Sequence, residues 1–262
     1  MSTPSGFQKL MTKARNFVPF LPPLPISPRF AKEQDASPLY SQLPVEVRQM
    51  IWQSVFGEHH AVHIYLSRNR IRAKECTQVD LEDTSTWGPH YRGACSQPGT
   101  RSQCDHVSFL LTCKKIYFEW IYTLYRGTLF DFSQSPRSLP LLYNRLPTTH
   151  VACISHVNLT WDLYRTLYLE SKNPGKDEVL WLRIWDALAA MEGLAWLKFA
   201  LRLNPAAQAW EHEWTERESM ILSSIKKVTR PSFFEVTLPF PAAASTQEET
   251  LPCTIIRGAY KW

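Results

Sequence analysis

The chain has 262 residues, 44% hydrophobic and 13% aromatic, with 9 Gly, 19 Pro and a formal net charge of +5. That length and apolar content are enough for a substantial core, while scarce glycine and abundant proline argue against a tight-turned sandwich or barrel and for helices punctuated by prolines. The charge excludes little else, because Lys9, Lys13, Arg15, Arg29 and Lys32 stand in residues 1–32 without an acidic neighbour, and the remaining 24 basic residues meet 24 acidic ones. A neutral body offers no basic stripe for phosphates, so no nucleic-acid partner is expected.

Residues 1–40 read as a disordered leader. Phe7, Leu10, Met11, Ala14 and Phe17 recur at helical spacing among basic residues, and a Pro-rich stretch with Pro22 and Pro25 follows as a semi-rigid linker. No secretory signal and no apolar run of bilayer length are visible, so a protein without a transmembrane segment is expected. Its six cysteines, at 76, 95, 104, 113, 153 and 253, are then expected as reduced thiols in an intracellular compartment, cytoplasmic or nuclear.

From Pro44 a helix is signalled by Val47, Ile51 and Val55 at intervals of four, joined by Met50, with Gly57 as its stop. The period then becomes two. Val62, Ile64 and Leu66, then Ile71 and Ala73, predict a hairpin whose second strand sets Arg70, Arg72 and Lys74 on one side. That row suits an acidic or phosphorylated partner, or serves as the solvated face of an edge strand. Residues 77–107 read as a long loop. A strong helix follows through Cys113, Ile116, Tyr117, Trp120, Ile121, Leu124 and Tyr125, with Ser108 as a cap and Gly127 as a left-handed end, then a short strand "TLFDF".

The remainder alternates. A strand "CISHVNLTW" leads to a helix over about Asp177 to Glu192, with Leu180, Ile184, Leu188 and Met191 inward and Gly193 as the stop. A strand "LAWLKFALRL" leads to a helix opened by Asn204 and Pro205, with Trp210, Trp214, Ile221, Ile225 and Val228 inward and Lys226 and Lys227 in its last turn. "SFFEVTLPF" is the next strand. This spacing predicts an α+β or α/β fold with strand-helix units resembling an irregular leucine-rich-type solenoid. The boundaries read from it are a single domain over residues 41–240, with residues 241–262 as a C-terminal extension holding a further strand.

No Walker loop, GxGxxG, GxSxG or HExxH occurs, so no catalytic residue and no cofactor are expected. His59 and His63 would stand four strand residues apart, roughly 13 Å, too far for one ion, and His150 and His156 fail alike. Cys76, His90, Cys95, Cys104 and His106 form the zinc candidate, although only Cys104 and His106 are close in sequence; reduced thiols are the expectation and no metal is assigned. Trp181, Trp185 and Trp196 read as core rather than a ligand cage.

Leu43, Pro44, Glu46, Val47, Ile51 and Val55 resemble the first helix of an F-box, and "TCKKIY", with Cys113 and Lys114, resembles its later Cys-Lys helix. Their separation by residues 58–107 is similar to a group of filamentous-fungal proteins with an F-box-like domain of unknown function. That group shows LPxExRxxIW, LLxTCKxIYxExxxxLY and an FxF strand, met here by "LPVEVRQMIW", "LLTCKKIYFEWIYTLY" and "TLFDF", over roughly residues 40 to 240. The resemblance implies two neighbouring helices with an inserted hairpin, a first helix that docks a cullin-ligase adaptor through the six residues named, and a body that captures an unknown target. A non-enzymatic protein-interaction module is thus expected. The alternatives are a fungal scaffold domain without adaptor binding and a zinc-dependent domain using the Cys/His loop.

Overall fold

Alternating side chains build a sheet here, in a computed structural model that describes residues 37–56, 60–68, 70–76, 114–163, 167, 169, 175–203, 211–241 and 251–258. The leader as far as residue 36, the loop of residues 77–107, and Ser108, Cys113, Asn204, Pro205 and Trp210 lie outside the described residues. The expected hairpin forms as β1 (His60–Ser67) and β2 (Arg70–Glu75), antiparallel, with Ile64 opposite Ala73 and Tyr65 opposite Arg72. Five strands follow: β3 (Thr128–Asp131), β4 (His156–Leu163), β5 (Trp196–Leu203), β6 (Phe233–Leu238) and β7 (Thr254–Arg257). Each of these runs parallel to its neighbour on the β1 side, giving one mixed sheet in the order β2-β1-β3-β4-β5-β6-β7.

Parallel neighbours need a crossover, and helices supply it. α1 (Pro38–Ser41) and α2 (Val45–Phe56) precede the hairpin, and α3 (Lys114–Gly127) leads into β3. α4 (Ser138–Arg145) and α5 (Thr148–Val151) lead into β4, and α6 (Lys176–Ala190) into β5. α7 (Glu211–Ser223) and a 3-10 turn (Ile225–Lys227) lead into β6. The fold is α+β.

One parity of the strands is apolar. Phe130, Val157, Leu197 and Phe234 are successive register partners, as are Leu159, Phe199 and Val236. These residues share a single buried cluster with Trp52 of α2, Trp120 and Tyr125 of α3, Leu139 of α4, Trp181 and Trp185 of α6, and Trp214 of α7. The helices therefore cover one face of the sheet, and that face is the core. Trp185 lies at its centre, with ring centroids 5.6 Å from Trp181 and 5.1 Å from Phe199. Ile184, Leu188 and Met191 point inward as the spacing predicts, while Leu180 is only partly buried and the two tryptophans take the larger share.

Two expected helix ends differ. Gly127 does not turn left-handed, since the described glycine with positive φ is Gly258 at 70°. β3 begins at the next residue, and Thr128 Oγ1 donates to the Leu124 carbonyl at 2.6 Å, satisfying an acceptor that the helix end leaves open. The helix after β5 stops at Ser223, so Lys226 and Lys227 fall in the 3-10 turn rather than in its last turn. There Lys227 reaches across to Asp186 of α6 at 2.6 Å.

Gly193 acts through space rather than by positive φ. A Cβ there would collide with the carbonyl oxygen of Ala152, because the turn after α6 lies directly against the turn after α5. Gly193→Ala is expected to destabilise the fold by about 1–3 kcal/mol, the usual range for overpacking a tight site. An unchanged urea midpoint would show that this close approach does not constrain the chain.

Candidate functional site

Helix α2 turns an unexpected side inward. Arg48 and Trp52, one turn apart, are buried at 8% and 5% exposure, and Ile51 is partly buried against the core. Arg48 donates to both carboxylate oxygens of Glu119 on α3, Nε at 3.1 Å and Nη2 at 2.7 Å, and Nη1 donates to the Leu43 carbonyl at 2.5 Å. This two-pronged geometry fixes orientation as well as charge. Hydrogen bonding to Glu119 raises the guanidinium's already high pKa further. Tyr40 of α1 lies under two cations, Arg48 at 5.0 Å and Lys115 at 4.4 Å from its ring centroid. The stretches around residues 43–56 and 114–120, far apart in sequence, are thus joined in the fold.

The outward side of α2 is apolar. Val45, Val47 and Met50 are 40%, 39% and 67% exposed, with Pro44 and Glu46 also exposed and Leu43 partly buried. Of the residues expected to meet a partner, Pro44, Glu46 and Val47 thus face solvent and Ile51 turns toward the core. The Val55 side chain lies outside what is described.

A second feature escaped sequence reasoning. On the sheet face opposite the core, Lys74, His63, Asp131, Asn158, Lys198, Glu235 and Thr254 are successive register partners, one from each strand. His63 and Asp131 are buried at 2% and 6% exposure, and a buried charge persists only when it is paired. His63 Nδ1 stands 2.5 Å from Asp131 Oδ2. Asp131 Oδ1 accepts from the Ser133 amide at 3.0 Å, the Ser133 hydroxyl at 2.5 Å and Asn158 Nδ2 at 3.1 Å. Thr160 Oγ1 donates to Ser133 Oγ at 3.0 Å. Further along, Lys198 pairs with Glu235 at 3.2 Å, and Arg202, 2% exposed, pairs with Asp162 at 2.8 Å.

Burial by itself would lower the pKa of His63. Hydrogen bonding to Asp131 and to Cys76 more than reverses this, and the imidazolium is held up to about 11. His150 lies against Tyr122 and Tyr125, and burial lowers its pKa. The same burial pushes the Tyr125 hydroxyl up.

The hairpin row lands at the sheet edge. Arg70 and Lys74 are exposed and Arg72 is partly buried. Of the zinc candidates only Cys76 is described, and it meets His63; His90, Cys95, Cys104 and His106 lie outside the described residues. Among the described residues no cluster of three His, Cys, Asp or Glu side chains is placed to hold a metal ion, and no helix is long and apolar enough to cross a membrane. Trp181 and Trp185 are core as expected. Trp196 instead lies on the polar face, stacked on Phe233 at 5.3 Å and tilted over His156 at 6.3 Å. The signal for the polar row was the alternation itself, as in "HVNLTWDL", where Asn158, Thr160 and Asp162 interleave with apolar neighbours.

An α+β domain with one helix-covered sheet face, a polar row on the other that is buried at His63, Asp131 and Asn158, and a firmly held α2 defines the class of this protein. The chain belongs to the family described as Domain of unknown function (DUF7730), which it matches over residues 32–259. That span includes every element from α1 to β7. No curated protein and no solved structure matches the chain.

Proposed function

We propose that this domain is a protein-interaction module without an enzymatic role. The α2 helix acts as an F-box-like docking element for a cullin-ligase adaptor, and the strand-helix body, akin to a leucine-rich-type solenoid, receives a target protein. The observation that carries this is the exposure of Val45, Val47 and Met50 on a helix whose opposite side is anchored by Arg48 and Trp52. Single exposed apolar residues are ordinary, but three within two turns of one anchored helix make a patch suited to a partner's groove. The similarity of "LPVEVRQMIW" to an F-box opening supports the same reading, as does the parallel, sequential strand order. The setting that goes with it is intracellular.

The test is co-purification of the tagged chain from a fungal lysate beside the double variant Val47→Asp, Met50→Asp. Both positions are exposed, so the variant is expected to melt within a degree or two of the parent, as surface substitutions usually cost less than about 0.5 kcal/mol. The cullin-ligase adaptor should be retained by the parent and lost from the variant. Its absence from both would leave α2 as a helix of a scaffold domain.

A further inference from the structure

We propose that Cys76 is a modification site, a thiolate paired with the His63 imidazolium that reacts with soft electrophiles and with small disulfides. Strand pairing assembles it. His63 faces Lys74 across the hairpin, so Cys76, two residues on, falls on the same side of the sheet at the diagonal position, within side-chain reach. Its amide donates to the Ala61 carbonyl at 2.8 Å, which carries the ladder one residue past β2 and fixes the backbone. Cys76 packs against Ala61 and Leu129, remains partly exposed, and is not in a disulfide.

The ring between them is fully specified. Asp131 occupies Nδ1 of His63 at 2.5 Å, which leaves Nε2 for the hydrogen bond with Cys76. Asp131 cannot swing away, because Ser133 and Asn158 hold its other oxygen. The result is a Cys–His–Asp relay with the base oriented by a third group, the arrangement that activates thiols as nucleophiles. Among the described residues, the charged groups that the register sets toward the ring are Asp131 from β3 and, from β2, Lys74 directly opposite and Arg72 diagonally. Two of these three are cations on the Cys76 strand, and they also favour the thiolate.

The chemistry balances without an added oxidant. Cys76 Sγ attacks one sulfur of a disulfide, a new S–S bond forms, the old one breaks, and the second sulfur leaves as a thiolate that takes a proton from water. With iodoacetamide the C–S bond forms and iodide leaves. This inference stands apart from the adaptor reading, since α2 contributes nothing to it.

The experiment is alkylation of the native full-length chain by iodoacetamide between pH 5.5 and 8.5, with the Cys76 peptide quantified by mass spectrometry. The same chain unfolded in urea is the reference, in which the rate should fall about tenfold per pH unit below about 8.5. In the native chain the Cys76 rate should change less than about threefold between pH 6 and 8, because the thiolate is already formed. A His63→Gln variant that folds should recover the steep profile. The parent's profile decides the matter if the variant does not fold. A native profile as steep as the unfolded one, or no adduct at Cys76 at any pH, overturns the proposal.

Discussion

Asp131→Ala is expected to destabilise the protein by about 3–5 kcal/mol, the cost of leaving one partner of a buried ion pair alone. The imidazole of His63 would lose its carboxylate at 2% exposure, and the Ser133 and Asn158 donors would lose their acceptor. The pair also sets a pH dependence. His63 has a folded pKa of about 11 against an ordinary 6.5, so the folded state holds this proton more tightly. Its stabilisation is complete below pH 6.5 and is lost as pH rises toward 11. From pH 7 to 10 the parent should therefore lose stability with a slope of at most about 1.4 kcal/mol per unit from this group. Asp131→Asn removes the carboxylate charge and should reduce that slope, leaving the share that Cys76 contributes. Urea unfolding at pH 7 and 10 measures both; parallel declines in parent and Asp131→Asn would show that Asp131 is not what holds His63 charged.

The second large effect lies in the core. Trp185 is fully buried among Trp181, Phe199 and Phe234. Trp185→Ala should cost about 3–5 kcal/mol, since the transfer free energy and the cavity add. Trp185→Phe should cost markedly less, because the buried indole N–H has no hydrogen-bond acceptor among the described residues and an aromatic face is retained against Phe199. Equal losses for the two variants would mean that the indole makes a specific contact beyond packing.

Much of this fold could be read from the sequence because its strands obey the period of two. Val62, Ile64, Val157, Leu159, Leu197 and Phe199 all fall on the face that their alternation implies. What could not be read lies between strands. Parallel register depends on how each crossover helix packs, so nothing local brings Asp131 beside His63, 68 residues away. Helix α2 shows the same limit. Val47 and Met50 contribute to its apolar periodicity yet face outward, because Arg48 is drawn in by Glu119, 71 residues on, and brings Trp52 in with it. A charged residue with a distant buried partner counts as polar in any local pattern. On α2, Pro44, Glu46 and Val47 are exposed while Ile51 turns toward the core, and Met50 is the most exposed of the large apolar residues. The Cys76 relay was not legible at all.

The order of the sheet has a consequence for how the chain is made. After the first hairpin, β3 adds to the free edge of β1, and each of β4 to β7 borders the strand translated just before it. No strand must wait for a partner still to be synthesised, so assembly can follow translation from the amino-terminal edge outward, in keeping with the vectorial folding of nascent chains. Each addition covers one edge of the sheet while presenting a single new one. The sheet grows at one end only, and β7 is its last addition.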